Sequence, residues 1–263
     1  MKLCFITNSG AQWVSNLGDF TLVLGHLCLP EYNSKWRDYR DFCKGLVKKQ
    51  YVVLDNSAYE LKKPLENRVL LDLVEEIEFQ EVVAPDYFGD ADRTIDAVYD
   101  FLEDSSRSSA NFAIQAVVQG DTVENWKRCF VALRETSVDV IGLSTTAEKI
   151  TARLDLIDWI SRSFPAEALK DKEFHALGLS DPRELVSIVS RYPFVTRNDS
   201  STAVAQAMSG YRLELDGSLP HGKIYMDFEK AWDSKYDVDT LWNISILRKI
   251  TREDANEDRD SGL

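Results

Sequence analysis

The sequence lacks the features of a membrane protein and of a general nucleic-acid-coating protein. No apolar run approaches the roughly 18 residues that a membrane helix needs, and the first residues lack the long apolar segment of a signal peptide. Positive charge is scarce, because 31 Lys and Arg stand against 44 Asp and Glu, which leaves a net charge of −13. Coating DNA or a lipid surface requires summed positive potential, although a local basic patch is compatible with this charge. We therefore expect a cytoplasmic protein that does not bind membranes.

Cysteine and histidine are also rare, with four and three residues respectively. The cysteines are scattered through apolar or helical segments, without the paired spacing of a zinc site or a disulfide framework. We expect four reduced, buried thiols, no metal and no cofactor. The cysteines are Cys4, Cys28, Cys43 and Cys129.

The sequence does contain a repeated pattern in which a strand-like apolar run ends at a polar residue or glycine and a helix signal follows. These strand-end residues are Asp55, Asp86, Gln119, Gly142, Gly178 and Asp199. In a (β/α)8 barrel, all loops that follow the strands open on one face, so the pattern predicts that fold with its polar residues meeting in one pocket. With 263 residues and 44% hydrophobic composition, we expect one barrel domain over residues 1–250. The acidic tail, residues 251–263, has no apolar stripe and is predicted to be disordered.

Local signals predict three further features of the chain. Asp121 and Asp181 each stand just before a predicted helix whose first turn carries a second acidic residue. Both are therefore assigned to helix capping rather than to chemistry. The segment from Tyr211 to Met226 contains an Asp-Gly turn and is predicted to form a small hairpin or strand pair. A last amphipathic helix is expected from about Val238 to Ile250.

Asp55 and Asp199 are the two carboxylates that we assign to chemistry. A retaining glycosyl exchange needs a carboxylate nucleophile and a second group that manages protons on the departing and arriving base. Each acid also has a structural interpretation. Asp55 begins an Asp-Asn-Ser stretch typical of a turn that binds its own backbone, and Asp199 could be the N-cap of the helix that follows.

The strand-end blocks, taken in order, resemble the active-site strands of the tRNA-guanine transglycosylase superfamily over about residues 17 to 210. Three segments are most similar to the short, phage-encoded members related to DNA-guanine transglycosylases, which insert 7-deazaguanine bases into DNA. They are residues 18–24, 54–60 and 198–201. The blocks that carry the wider resemblance are Asp55-Asn56-Ser57-Ala58-Tyr59, Ala84-Pro85-Asp86, Val117-Val118-Gln119-Gly120, Ile141-Gly142-Leu143 and His175-Ala176-Leu177-Gly178-Leu179.

The resemblance implies that Asp199 is the nucleophile and Asp55 the general acid/base. It also implies that Asp86 binds the amidine edge of a guanine-like base and that Gln119 binds its carbonyl edge. Five further residues would complete the base site: Gly142 and Leu143 through their backbone, Tyr59 and Leu177, which would sandwich the base, and Gly178 beside them. Core packing is the structural alternative for Tyr59, and close packing of the barrel is the alternative for Gly142 and Gly178.

The sequence departs from the family pattern in two places. Ser57 stands where a glycine is more usual, and no cysteine follows Cys129, so the zinc site of the tRNA-acting enzymes is missing. Much of the usual tRNA-docking surface would be missing with it, which favours DNA, single-stranded or opened by a partner protein, as the substrate together with a free 7-deazaguanine base. A phage protein of this kind would act in the host cytoplasm.

Positive charge for a DNA substrate is most concentrated around the Asp55 strand. We expect four lysines, Lys48, Lys49, Lys62 and Lys63, to line the pocket entrance, although the same residues could form an ordinary solvated surface. Three other functions stay open: base exchange in tRNA, a non-catalytic subunit that recruits a partner, and a barrel hydrolase or lyase acting on a small molecule.

Overall fold

The computed structural model describes residues 1–7, 9–144, 151–179, 181–219, 221, 222, 224, 226 and 231–260. Over these residues the chain alternates strand and helix. The strands are β1 (Lys2–Phe5), β2 (Thr21–Leu24), β3 (Val52–Asp55), β4 (Glu81–Val83), β5 (Ala113–Val118), β6 (Val140–Leu143), β7 (Glu173–Ala176) and β8 (Val195–Ser200). The helices are α1 (Trp36–Leu46), α2 (Ala58–Leu61), α3 (Asn67–Ile77), α4 (Ala91–Ser105), α5 (Val123–Arg134), α6 (Thr151–Ser163), α7 (Pro182–Arg191), α8 (Thr202–Met208) and α9 (Asp237–Asp260).

The eight strands of the described chain run parallel in one sheet, in the order β1-β8-β7-β6-β5-β4-β3-β2. From β2 to β8, sequential strands therefore lie next to one another, and the pairing of β1 with β8 brings the first and last strands together in the same sheet. This is the (β/α)8 barrel fold, and the predicted fold class is confirmed. No helix among the described residues is both long and apolar enough to cross a membrane.

The chain divides into two compact units, residues 20–175 and residues 1–19 with 176–263. The first unit contains β2 to β6 and an aromatic core centred on Phe130, which is fully buried. The Phe130 ring stacks on Trp126 and Phe174, with centroid distances of 5.9 and 6.3 Å. Burying one such side chain contributes about 1.5–3 kcal/mol to stability.

The second unit, residues 1–19 with 176–263, pairs β1 with β8 and packs α7 and α8 against α9. In the strand pairing, Cys4 lies opposite Asp199 and Phe5 opposite Ser200. The β8 strand thus extends through Asp199 and Ser200, two residues further than the apolar pattern predicts, because its polar end still finds a backbone partner in β1.

Two capping predictions have different outcomes. Asp181 is the N-cap of α7, and its carboxylate accepts a hydrogen bond from the backbone N–H of Arg183, so that prediction is confirmed. The N-cap of α5 is Thr122, whose hydroxyl accepts the N–H of Asn125, and the prediction for Asp121 is wrong. Asp121 instead accepts a hydrogen bond from the Asn125 side chain, because the helix begins one residue later than the acidic signal suggested.

The carboxy-terminal part also differs from the predictions. The Asp216-Gly217 turn is present, with the Gly217 N–H bonded to the Glu214 carbonyl, but the described residues between 211 and 226 contain no strand pair. Part of the predicted hairpin, including Tyr225, lies outside the described residues. The last helix continues to Asp260, past the end predicted at Ile250, and residues 261–263 of the predicted tail also lie outside the described residues.

Candidate functional site

Asp86 lies in the loop that follows β4 and is the best-defined candidate of the first unit. Its side chain is buried, with 6% exposed. One carboxylate oxygen accepts a hydrogen bond of 2.6 Å from Asn56 Nδ2, and the other accepts one of 2.5 Å from Gln119 Nε2. Burial raises the pKa of Asp86, and the two amide donors act in the opposite direction. Because a carboxylate has about four acceptor positions, two amide contacts do not saturate it.

Two amide side chains hold this carboxylate, and each is itself held in orientation. Asn56 Nδ2 also donates to the Ala84 carbonyl at 2.7 Å, and Asn56 Oδ1 accepts the Ala58 N–H at 2.8 Å. Gln119 Oε1 accepts the Gly89 N–H at 3.3 Å. We call Asn56, Asp86 and Gln119 the amide–carboxylate cluster.

The cluster brings together two residues that the sequence assigned to base recognition, Asp86 and Gln119. Asn56 was missed, because the sequence shows it only as the middle residue of a turn. Its position directly after a strand-end aspartate was the available signal.

Asp55 is the last residue of β3 and is partly buried. One of its carboxylate oxygens accepts the backbone N–H of Ser57 at 2.8 Å, so the turn interpretation of Asp55 is confirmed. Ser57 has a φ of 62°, a left-handed conformation that favours glycine. The Ser57 hydroxyl accepts the His26 N–H at 3.1 Å, a contact that glycine could not make. The assignment of Asp55 to proton transfer stays a prediction.

Tyr59 follows β3 in the short helix α2. Its side chain is 62% exposed, so the core-packing alternative is wrong. The Lys62 ammonium lies 4.5 Å from the ring centroid, a distance typical of a cation–π contact. The ring therefore has a free face in solvent, as a residue that stacks on a ligand requires.

Gly142 and Leu143 lie within β6 rather than beyond its end, and both are buried. They pair in the sheet with Val117 and Val118 of β5. The Leu143 carbonyl accepts a hydrogen bond from Arg153 at 3.5 Å. Their predicted part in a base slot stays a prediction, and residues 145–150 after the strand lie outside the described residues.

Asp199 is the best-defined candidate of the second unit. Its side chain is 2% exposed, and both carboxylate oxygens accept the backbone N–H of Gly178, at 3.0 and 3.1 Å. The Leu179 N–H donates to the Asp199 carbonyl at 3.0 Å, which ties the two loops together. Ser201, not Asp199, occupies the N-cap position of α8, so the capping alternative for Asp199 is wrong.

Gly178 and Leu177 follow β7 in this unit. A Cβ placed on Gly178 would meet no atom within 4 Å, so close packing does not explain the glycine. The φ of Gly178, 61°, explains why glycine stands here, because glycine adopts this left-handed conformation at low cost. In this conformation the Gly178 N–H donates to the Asp199 carboxylate. Leu177, the predicted base-stacking residue, is partly exposed.

The structure separates the four predicted DNA-binding lysines into two pairs. Lys48 and Lys49 are exposed and precede β3, near Gln50, whose side chain binds Thr21 at the start of β2. Lys62 and Lys63 are exposed and follow β3. The two pairs therefore lie at opposite ends of one strand, and the expectation that all four line one entrance does not fit this placement.

Charge compensation further reduces the basic character of α1. Arg40 and Lys44 bind the same carboxylate, Glu76, at 2.5 and 3.0 Å. These two cations are therefore partly neutralised within the protein.

All four cysteines are buried and free, as predicted. A hydrogen bond with Cys28 and burial raise the pKa of the Cys43 thiol, and burial raises that of Cys129 to about 11. Both thiols therefore stay protonated at neutral pH. Among the described residues, no group of three or more His, Cys, Asp or Glu side chains is placed to hold a metal ion.

No family model and no curated protein matches the sequence. Similar solved structures include an N-acetylneuraminate lyase from Mycoplasma synoviae, with 13% identity and a TM-score of 0.44 over 80% of this chain and 74% of that chain. A GH26 beta-mannanase from Bacteroides ovatus has 10% identity and a TM-score of 0.43 over 90% of this chain and 80% of that chain. At these values the similarities carry no argument about what this chain does.

Proposed function

We propose that the protein is a base-exchanging pentosyltransferase that replaces guanine in DNA with a 7-deazaguanine derivative. The observation that carries the proposal is the buried amide–carboxylate cluster, which combines one carboxylate with two amide side chains at the ends of successive strands. The sequence resemblance to guanine transglycosylases supplies the reaction class. The buried, fixed carboxylate of Asp199 in the second unit supports a second chemical role.

The cluster has the hydrogen-bonding groups that a guanine-like base requires. The amidine edge of guanine presents two N–H donors, and a carboxylate accepts such a pair in a charge-assisted, bidentate geometry. Gln119 Nε2 carries two hydrogens, and only one is needed for the bond to Asp86, so the second can serve the base carbonyl. Asp86 must be ionised to accept both N–H groups; burial raises its pKa, and the two amide donors favour the ionised form.

In the reaction we propose, an Asp199 oxygen attacks the anomeric carbon of the nucleotide. A C–O bond forms, the glycosidic C–N bond breaks, and Asp55 as general acid gives a proton to the leaving guanine. The 7-deazaguanine then loses its ring N–H proton to the Asp55 carboxylate and attacks the same carbon, which releases Asp199. Two displacements retain the configuration, and the Gly178 N–H stabilises the Asp199 carboxylate each time it is free.

The test is base exchange measured with Asp199→Asn. The substitution keeps the size of the side chain and one acceptor for Gly178, so we expect normal folding and a loss of exchange by several orders of magnitude. Asp55→Asn should also block turnover, because it removes the proton donor of the first displacement and the proton acceptor of the second. Asp100→Asn, an exposed aspartate of α4, is the control and should behave like the wild type.

The substrate is identified by mass spectrometry of nucleosides from DNA and tRNA after incubation with a labelled 7-deazaguanine. Label in tRNA alone would replace DNA by tRNA in the proposal. Asp199→Asn activity above about a tenth of the wild-type rate would remove the covalent mechanism, because a missing nucleophile costs far more. No exchange by the wild type on either substrate would favour the partner-subunit or small-molecule alternatives.

A further inference from the structure

Three exposed aromatic rings follow three neighbouring strands of the first unit. Tyr32 follows β2, Tyr59 follows β3 and Phe88 follows β4, with exposed fractions of 44%, 62% and 61%. Exposed aromatic rings placed on successive loops of one sheet edge are unusual on a surface with no ligand, since large apolar side chains favour burial. We call Tyr32, Tyr59 and Phe88 the aromatic platform.

Buried or partly buried hydrogen bonds link the loops that carry these rings. The His26 N–H after β2 donates to the Ser57 hydroxyl after β3. Asn56 after β3 in turn donates to the Ala84 carbonyl and to the Asp86 carboxylate after β4. The three rings are therefore mounted on loops that are tied to one another and to the amide–carboxylate cluster.

Cations lie near the rings, one after β3 and one at the start of α4. Lys62 lies over the Tyr59 ring at 4.5 Å, and the Arg93 guanidinium lies 3.7 Å from the centroid of Tyr87, the neighbour of Phe88. Rings and cations together are the combination with which proteins bind single-stranded nucleic acids: bases stack on the rings, and cations contact the backbone. The net charge of −13 limits the contribution of phosphate attraction, so stacking must supply most of the affinity.

We propose that the aromatic platform binds single-stranded DNA, with Tyr32 and Phe88 stacking on nucleotides that flank the exchanged guanine. In an intact duplex both faces of each base are covered by neighbouring pairs, so exposed rings have no face on which to stack. An unpaired strand offers these faces, and it also avoids the cost of extruding the target guanine from a duplex. This inference rests on the proposed function for the identity of the central base, but binding by the rings can be measured without turnover.

The test measures binding of a short fluorescein-labelled oligodeoxynucleotide with one guanine, single-stranded and annealed to its complement. We expect tighter binding of the single strand. Tyr32→Ala with Phe88→Ala should weaken it by about 5- to 150-fold for each ring removed, with an unchanged salt slope because the phosphate contacts stay in place. Tyr32→Phe with Phe88→Tyr should restore the affinity. Tyr99→Ala, which removes a 53% exposed ring of α4, is the matched control and should leave binding unchanged.

Three results would overturn the inference. They are equal affinity of the wild type for duplex and single strand, wild-type affinity of the double alanine variant, and binding of an oligosaccharide, cellohexaose, in place of the oligonucleotide. Its failure can be distinguished from failure of the proposed function. Wild-type exchange together with ring-independent binding would reject the platform and keep the function. Ring-dependent binding of single strands without any base exchange would keep the platform and reject the proposed function.

Discussion

Replacing Asp86 by asparagine tests the amide–carboxylate cluster with the smallest possible change of shape. The carboxylate accepts Asn56 Nδ2 with one oxygen and Gln119 Nε2 with the other. An asparagine keeps only one acceptor. Whichever way its amide is oriented, its NH₂ group faces the NH₂ group of one of the two partners.

Neither partner can avoid this conflict by rotating its own amide without breaking other hydrogen bonds. Asn56 would give up its bonds to the Ala84 carbonyl and the Ala58 N–H, and Gln119 would give up the Gly89 N–H. Leaving one buried donor without an acceptor costs about 1–3 kcal/mol. We therefore expect Asp86→Asn to lower the free energy of unfolding at neutral pH by an amount within that range.

The pH dependence of this difference follows from the raised pKa of Asp86. Burial raises that pKa above the ordinary 3.8, so between the two values the folded protein binds more protons than the unfolded chain. Stability then falls as the pH rises from 3.8 through the folded-state pKa. Asparagine does not titrate, so the stability gap between wild type and variant should narrow over this window and become constant above it.

The assay is urea unfolding of both proteins over a series of pH values, followed by tryptophan fluorescence. Asp100→Asn removes an exposed carboxylate and serves as the control. It should neither lower the free energy of unfolding nor show a stability difference from wild type that narrows with pH. The reasoning about the buried carboxylate would be refuted if wild type and Asp86→Asn were equally stable, or if the difference in their free energies of unfolding widened with rising pH. Calorimetric titration with a free 7-deazaguanine should show at least a tenfold loss of affinity, roughly the worth of one charge-assisted hydrogen bond.

Two further predictions concern packing and charge. Gly120→Ala should destabilise the protein by about 1–3 kcal/mol in urea unfolding, because the added Cβ would lie 2.3 Å from the backbone nitrogen of Trp126. Gly45→Ala, in α1 with nothing within 4 Å of the added Cβ, should instead stabilise it, and equal effects of the two changes would contradict the packing argument. Reversing the charge of the two lysines after β3 should weaken oligonucleotide binding. It should also flatten the salt dependence of binding by about one log–log unit for each phosphate that is no longer bound. Reversing the charge of the two lysines before β3 should change neither the affinity nor its salt dependence. The double variants to compare are Lys62→Glu with Lys63→Glu and Lys48→Glu with Lys49→Glu.

The strands and their order were predictable because their signals are local. Apolar runs followed by a polar residue or glycine predicted the six strands β3 to β8, and the parallel (β/α)8 arrangement followed from their alternation with helices. The exact ends were less predictable, because a strand stops where its neighbour stops. β8 runs on through Asp199 and Ser200 since Cys4 and Phe5 of β1 pair with them, and no pattern within residues 195–200 contains that information.

The candidate site was predictable in its acidic residues and less so in their partners. Asp86 and Gln119 were placed in one site, and the structure joins them directly. Asn56 was missed because its hydrogen bonds connect residues 28 and 30 positions apart in the sequence. The separation of Lys48 and Lys49 from Lys62 and Lys63 was foreseeable, since residues before and after a strand lie at opposite ends of it. Counting basic residues near Asp55 in the sequence concealed that distinction.

Asp199 and Asp86 are held by different kinds of hydrogen-bond donor. The difference suits the roles proposed for them, nucleophilic attack for Asp199 and base recognition for Asp86. Asp199 is held by a backbone N–H of Gly178, which cannot rotate away without moving the main chain. A nucleophile benefits from such fixed aim, because misplacement of the attacking atom is costly. Asp86 is held by side-chain amides, and the Gln119 amide has a second hydrogen that can serve a ligand. A recognition group benefits from that adaptability, because an arriving base can replace or share the internal donors without disturbing the backbone.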